Sequence, residues 1–156
     1  MGWHIVNSKE VAQWIADRTT GFYSDRSVAL GLKKNDQIVG GVSYENWNGR
    51  SIFVNIALED RMTPAFLAAI FDYPFNVCQV EKLIVSVSSG NKKSINLVKK
   101  MGFKEEARIK DVDPDGDFVF FTLPKDECRF LSNKYGRKIV RGPINRGESW
   151  HKPSPG

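Results

Sequence analysis

Residues 91–103, with the sequence NKKSINLVKKMGF, decide the fold. Asn91 can cap a helix, and Gly102 stands where helices commonly end in the left-handed conformation. The apolar residues between them have helical spacing; they are Ile95, Leu97 and Val98. The stretch therefore predicts a helix over residues 91–101 that stops at a glycine and leads into a strand from Phe103.

Strand signals flank this helix on both sides. Residues 82–87 form a run of alternate apolar and β-branched residues that ends at a Ser-Ser-Gly turn, which predicts a buried strand. Residues 103–112 and 117–123 flank the turn sequence Asp-Pro-Asp-Gly. This turn signal predicts that the two segments pair as a hairpin.

Earlier in the chain, the pattern predicts a strand, a helix and an antiparallel meander. The first strand covers residues 3–6, and Asn7 with Glu10 resembles a capping box that starts the first helix. The meander consists of three β-rich runs, at residues 27–32, 37–44 and 51–58.

A second helix follows the meander. Thr63 can cap it, and Pro64 in its first turn loses only an N–H that has no partner there. We expect this helix to stop near Pro74. The complete order predicts an α/β (α+β) fold, in which a mixed, mostly antiparallel sheet has helices on both faces.

The excess positive charge lies at the carboxyl end. The chain carries a net charge of +5, but residues 1–131 contain 17 Lys and Arg against 17 Asp and Glu. Residues 132–156 contain six basic residues against Glu148 alone, with four glycines, three prolines and no apolar period. We therefore expect one domain over residues 1–131 and a basic, flexible tail over residues 132–156.

Several functional classes are disfavoured by the sequence. Cys78 and Cys128 form no CxxC pair and have no His at ligand spacing, so we expect neither a disulfide framework nor a metal site. His4 and His151 lie in the first strand and the tail, which makes neither a credible general base. No apolar stretch approaches membrane-spanning length and no secretory signal is recognisable, so we expect a cytoplasmic protein without a membrane partner.

The segment from residue 91 to residue 108 resembles the second half of the GNAT acetyltransferase family. The family pattern is approximately N-x-x-[AS]-x-x-L-[YF]-x-x-x-G-F followed by E-G-x-x-R. The matching residues are Asn91, Ser94, Leu97, Gly102, Phe103 and Glu106. An arginine, Arg108, stands two residues after Glu106, whereas the pattern has its arginine four residues after the glutamate. The similarity in element order covers about residues 3–123. Residues 115–131 also look like the small GNAT proteins of tailed phages, which implies a phage-encoded member in the host cytoplasm or the virion.

The resemblance implies that acetyl-coenzyme A is the co-substrate. In the family, its pantetheine arm lies between two strands that diverge, here residues 51–58 and 82–87, and binds mainly to backbone groups. The residues implied to contact it are Ile56, Ala57, Leu58, Asn91 and Ser94.

The resemblance also implies that the pyrophosphate binds at the amino end of the second helix, where the family uses R/Q-x-x-G-x-G/A. Arg61 is kept, but residues 61–66 contain no glycine and Pro64 removes a donor. Arg61, Thr63, Ala65 and Phe66 are the implied phosphate-binding residues, and the Phe66 side chain could obstruct the phosphate.

Acyl transfer to an amine requires a base, donors for the oxyanion and a proton for the thiolate. We expect Glu59 to be the base, with Glu45 as the second candidate, and backbone N–H groups of residues 55–57 to bind the oxyanion.

The group that protonates the leaving thiolate is less obvious. Many family members have a tyrosine for this role where this chain has Val98, which has no proton to donate. Ser89, its neighbour Ser88 or a water can substitute, or the thiolate can leave unaided. For the acceptor pocket the candidates are Tyr44, Trp47 and Asn48, which are equally explained as exposed hairpin residues.

Two other functions are open. The first is a catalytically inactive GNAT-shaped protein with a structural or interaction role, such as a phage virion component, which fits Val98 and the glycine-poor residues 61–66; Phe66 would then plug the cleft. The second is nucleic-acid binding by the tail, through its basic residues with Tyr135 and Trp150. The tail is otherwise expected to bind a protein partner, and the chain to be a monomer or homodimer.

Overall fold

The computed structural model describes residues 3–6, 8–19 and 28–131. The strands and α-helices are, in chain order, β1 (Trp3–Val6), α1 (Lys9–Ala16), β2 (Val28–Lys34), β3 (Gln37–Glu45), β4 (Ser51–Leu58), α2 (Pro64–Asp72), β5 (Lys82–Ser88), α3 (Lys92–Lys100), β6 (Lys104–Asp113) and β7 (Gly116–Pro124). A π-helical segment (Tyr73–Val77) extends α2, and two 3-10 turns (Lys125–Glu127 and Arg129–Leu131) follow β7. This order agrees with the order expected from the sequence.

The seven strands form one sheet in the order β1-β2-β3-β4-β5-β7-β6. All neighbouring strands are antiparallel except β4 and β5, which are parallel. The strands β2, β3 and β4 form the expected meander, and β6 and β7 form the expected hairpin. The fold class expected from the sequence is therefore confirmed.

The helix α1 packs closely against one face of the meander. A Cβ atom added at Gly31 would lie 2.6 Å from Val11, and one added at Gly41 would lie 2.8 Å from Ile15. Glycine at both positions thus allows the helix to approach the strands. Val11 and Ile15 are fully buried in a small cluster of their own.

The main core lies on the other face, where α2 and α3 cover the sheet. Phe71 of α2 is fully buried, stacks on Phe130 with ring centroids 4.9 Å apart, and tilts against Phe103 at 6.4 Å. Phe130 belongs to the last 3-10 turn, and Phe103 lies between α3 and β6. This aromatic group therefore joins α2 to the carboxyl end of the domain.

Two helix boundaries differ in detail from the expectation. The cap of α1 is Ser8, whose Oγ accepts the N–H of Val11 at 3.3 Å, whereas Asn7 lies outside the described residues. The α-helix α2 ends at Asp72, close to the expected stop near Pro74, but the helical backbone continues beyond it as the π-helical segment, where the Cys78 N–H donates to the Tyr73 carbonyl at 2.9 Å.

Tyr44 explains why a proline is tolerated in this helix. Pro74 has no N–H for the carbonyl four residues earlier, that of Ile70. The hydroxyl of Tyr44 donates to this carbonyl instead. Tyr44 is fully buried, and burial raises its pKa well above the usual value, so the hydroxyl stays a neutral donor. A side chain from β3 thus satisfies the backbone acceptor that the proline leaves without its usual donor.

We expect Tyr44→Phe to lower the free energy of unfolding by about 1–3 kcal/mol, because the Ile70 carbonyl is then buried without this donor. Urea denaturation measures the loss. Pro74→Ala restores an N–H near this carbonyl, so the hydroxyl deletion should cost less in a Pro74→Ala background. An equal loss in both backgrounds would contradict this account of Tyr44.

The helix α3 follows the prediction closely. Asn91 caps it, with Oδ1 accepting the N–H of Ser94 at 3.1 Å. Gly102 follows the helix with φ of +105°, in the left-handed region that glycine adopts at low cost. None of the helices in the described ranges has the length and hydropathy needed to cross a bilayer.

Candidate active site

The parallel strands β4 and β5 diverge after three residue pairs. Ser51, Ile52 and Phe53 pair with Lys82, Leu83 and Ile84, and within residues 28–131 no further pairs join the two strands. Beyond this point β4 stays paired with β3 as far as Leu58, and β5 stays paired with β7 as far as Ser88. The facing edges of residues 54–58 and 85–88 therefore present backbone donors and acceptors that no neighbouring strand satisfies.

A cleft occupies this opening. It is lined by Thr19 at the end of α1, Asn55 and Ile56 of β4, Val85, Ser86 and Val87 of β5, and Asn91, Ser94 and Val98 of α3. The lining combines apolar walls with a few polar groups. Such a slot suits a ligand that alternates methylene and amide groups and can pair with strand edges.

Some of the residues expected to bind the co-substrate lie in the cleft and others do not. Ile56, Asn91 and Ser94 line it. Ala57 is buried and Leu58 is partly buried at the end of β4, and neither belongs to the lining.

The amino end of α2 offers fewer anion-binding donors than a glycine-rich turn would. The Thr63 Oγ accepts the N–H of Phe66 at 3.1 Å, and Pro64 has no backbone N–H to donate. The Ala65 N–H has no hydrogen-bond partner among the described residues. The exposed Arg61 side chain interacts electrostatically with the neighbouring Asp60 carboxylate. The helix end therefore retains one backbone donor and one guanidinium for an anion.

Phe66 does not obstruct this site. Its side chain is fully buried in the main core, near Gly40 of β3. The expectation that this ring blocks the phosphate or plugs the cleft is wrong, because it lies on the inner face of α2.

The two candidate bases lie at opposite ends of β4. Glu59 follows the strand, is 49% exposed, and accepts from Arg18 Nε at 2.7 Å. Glu45 lies opposite Phe53, beside the point of divergence. Since Glu45 lies beside Phe53, the two carboxylates are separated by the six-residue step from Phe53 to Glu59. At about 3.3 Å per residue this is roughly 20 Å along the strand.

Glu45 is half-buried and has a specific partner. Its Oε1 accepts from Asn55 Nδ2 at 2.9 Å, and Asn55 lines the cleft. Burial raises the pKa of Glu45, partly offset by this hydrogen bond. A carboxylate with a raised pKa next to a cleft has the character of a proton acceptor.

Ser88 and Ser89, the two serines expected to protonate the leaving thiolate, form hydrogen bonds with residues beside the β6–β7 turn. Ser88 Oγ donates to Asp113 Oδ2 at 2.8 Å, and Ser89 Oγ accepts the Asp117 N–H at 2.9 Å. Neither lines the cleft, whereas Ser86 and Ser94 do.

The expected acceptor-pocket residues have structural contacts instead. Tyr44 is in the core, and Trp47 Nε1 donates to the Cys78 carbonyl at 3.2 Å. Asn48 Oδ1 accepts the N–H groups of Arg50 and Ser51 at 2.9 and 2.8 Å, which shapes the turn before β4. Tyr44 is thus neither an acceptor-pocket residue nor an exposed hairpin residue.

Sequence reasoning missed the side chain of Asn55. The signal for it is a polar residue inside the otherwise apolar strand Ser51–Leu58. It also missed Thr19, Val85, Ser86 and Val87 as lining residues. Within the described ranges, no group of three or more His, Cys, Asp or Glu residues is placed to hold a metal ion.

Comparisons with known proteins agree with this geometry. The model of the acetyltransferase (GNAT) domain family matches residues 3–117, which is most of the chain. The sequence has no match among curated proteins.

Solved structures with a similar fold include several acetyltransferases. Mutant forms of the spermidine/spermine N-acetyltransferase SpeG from Vibrio cholerae share 13% identity at a TM-score of 0.61, over 80% of this chain and 95% of theirs. A probable acetyltransferase shares 19% identity at a TM-score of 0.56, over 76% and 68%. The spermidine N-acetyltransferase from Vibrio cholerae in complex with CoA and spermine shares 16% identity at a TM-score of 0.56, over 66% and 68%.

Proposed function

Because the chain belongs to the acetyltransferase (GNAT) domain family, we propose that it transfers an acetyl group from acetyl-coenzyme A to the nitrogen of an amine. The observation that carries this proposal is the divergence of β4 and β5 after Phe53 and Ile84. The opened strands leave a slot in which the pantetheine arm can pair with backbone groups as an additional strand.

The residues around the slot account for three requirements of the reaction. Backbone N–H groups of β4 beyond Phe53 alternate in direction, so some of them face the cleft and can bind the oxyanion of the tetrahedral intermediate. Asn91 and Ser94 provide polar contacts to the arm from α3. The apolar side chains of Ile56, Val85 and Val98 exclude water around the thioester.

The leaving thiolate has two routes to a proton in this proposal. Val98 lines the cleft and cannot donate one, whereas Ser94 lies one helical turn before it and also lines the cleft. A thiol pKa near 8.5 also allows the thiolate to leave unaided. Ser89 remains a predicted acid, although its hydroxyl accepts from the Asp117 N–H.

The proposal is tested by thermal stabilisation with acetyl-coenzyme A and by thiol release with a panel of amines. We expect a rise in the melting temperature that depends on co-substrate concentration. Polyamines head the panel, since several structures of similar fold are named for spermidine or spermine. The absence of both stabilisation and thiol release at millimolar co-substrate would refute the proposal.

Arg61→Ala should weaken the binding of acetyl-coenzyme A about tenfold. The side chain is exposed beside the amino end of α2, and a charge-assisted hydrogen bond to a phosphate is worth about 1.5–3 kcal/mol. Isothermal titration calorimetry measures the change. Arg50→Ala is the matched control, because Arg50 precedes β4 at its opposite end. Equal losses in both variants would indicate that the phosphates bind elsewhere.

The other expectations from the sequence stay predictions. They are the binding of a protein or nucleic acid by the basic residues 132–156, a phage origin, a cytoplasmic or virion location, a domain boundary at residue 131, and a monomeric or homodimeric state. The catalytically inactive alternative loses one of its expected features, because Phe66 is buried in the core and does not plug the cleft.

A further inference from the structure

We propose that Asn55 and Glu45 form the site for the acceptor amine, and that Glu45 takes the proton that the amine must lose before it attacks. This assignment rests on the proposed function, and it gives Glu45 the role that the sequence favoured for Glu59. The evidence is the hydrogen-bond arrangement around Asn55 and its position in the cleft.

The Asn55 amide is oriented by two neighbours on β3. Its Nδ2 donates to Glu45 Oε1 at 2.9 Å and to Ser43 Oγ at 3.3 Å. An ionised carboxylate only accepts hydrogen bonds, so Glu45 selects the orientation in which the NH₂ group faces β3. Both amide hydrogens are then used, and among the described residues no group donates to Oδ1, which is therefore offered as an acceptor for an N–H of the incoming amine.

The location matches the end of the co-substrate slot. Asn55 is the second residue of β4 beyond the last pair with β5, and Glu45 lies opposite Phe53 of that pair. An arm that enters from the amino end of α2 reaches this point with its thioester. Glu59 lies at the entrance instead and is paired with Arg18.

The environment of Glu45 favours proton transfer. The pKa of Glu45 is raised by burial and lowered in part by the hydrogen bond from Asn55, and no charged group in residues 3–6, 8–19 and 28–131 shifts it. The charged residues at the end of α1, the helix on this face, have other partners: Asp17 accepts from Gln13, and Arg18 pairs with Glu59. Among the described residues, Glu45 is therefore free to receive the ammonium group of the acceptor.

In the proposed reaction, two protons leave the nitrogen of the acceptor and the acetyl group moves from sulfur to nitrogen. The ammonium gives one proton to Glu45, and the nitrogen lone pair forms the C–N bond at the thioester carbonyl. The tetrahedral intermediate collapses, the C–S bond breaks, and the thiolate takes the second proton from nitrogen. Glu45 later returns its proton to solvent. The products are the amide and free coenzyme A, with the net release of one proton.

Glu45→Gln tests the assignment through the pH dependence of kcat/KM for the amine. The wild type should reach a plateau above the pKa of Glu45, because the carboxylate accepts the ammonium proton. The Glu45→Gln variant can use only the acceptor molecules that are already unprotonated. Its kcat/KM should therefore rise about tenfold per pH unit until the pH reaches the pKa of the amine. At neutral pH we expect a loss of about 100-fold, with unchanged stabilisation by acetyl-coenzyme A.

Two further variants keep the test decisive. Glu81→Gln removes an exposed carboxylate next to β5 and should retain the wild-type profile. Asn55→Asp places a second carboxylate beside Glu45, which should move the acidic limb of the profile to higher pH. This variant provides an independent readout if Glu45→Gln does not fold.

The outcomes separate the two proposals. A Glu45→Gln variant that keeps the plateau, or a Glu59→Gln variant that loses it while Glu45→Gln does not, would overturn the assignment and leave the acetyl transfer intact. A wild type that releases no thiol with any amine would overturn the proposed function, and the assignment with it.

Discussion

Replacing Ser94 by phenylalanine is expected to abolish binding of acetyl-coenzyme A without unfolding the chain. Ser94 is partly buried and lines the cleft between the diverging strands. A benzyl group there would fill the space that we propose for the pantetheine arm. The backbone N–H that Asn91 caps is not changed by the substitution, so the start of α3 should persist. We expect the dissociation constant to rise at least about 100-fold, or about 2.8 kcal/mol.

Lys93→Phe provides the control for this experiment. It introduces the same ring one residue earlier on α3, at an exposed position. Calorimetry should show near wild-type binding, and circular dichroism should show that both variants are folded. Tight binding by Ser94→Phe would mean that the co-substrate does not use this cleft.

Phe71→Ala should produce the largest loss of stability, about 3–5 kcal/mol. The ring is fully buried and contacts Phe103 and Phe130, so its removal leaves a cavity between α2 and the carboxyl end of the domain. Small domains are stable by about 5–15 kcal/mol, so this loss is a large fraction of the total. Urea denaturation at equilibrium measures it.

Phe71→Leu is the conservative comparison. Leucine keeps most of the buried volume but loses the stacking on Phe130, so a smaller loss than for alanine is expected. If both substitutions change the free energy of unfolding by less than about 1 kcal/mol, the aromatic group does not hold α2 to the domain end.

Most of the fold was predictable because its signals are local. Thr63 with Pro64, and Asn91 with Gly102, fix helix ends through caps and backbone conformation, and the structure has these ends where expected. The continuation past Pro74 was not predictable, because it depends on a hydroxyl from Tyr44, 26 positions from the carbonyl that accepts its hydrogen bond. No local pattern contains that contact.

The candidate site was less predictable for the same reason. The resemblance to the GNAT family implied the slot between β4 and β5, and the structure has Asn91 and Ser94 in its lining. The pairing of Glu59 with Arg18, and of Glu45 with Asn55, depends on which side chains neighbouring elements bring together. The position of Asn55 in an apolar strand was visible, but its meaning required the register that places it beside Glu45.

The facing edges of β4 and β5 consist of peptide groups. Among substitutions, only one to proline removes a backbone N–H donor from these edges. A slot lined by main-chain groups therefore tolerates extensive change in sequence, in keeping with a fold shared at 13–19% identity. The acceptor end, which in our proposal consists of side chains, is free to diversify independently. If the proposed function holds, selection can therefore change which amine is modified without changing the slot between β4 and β5.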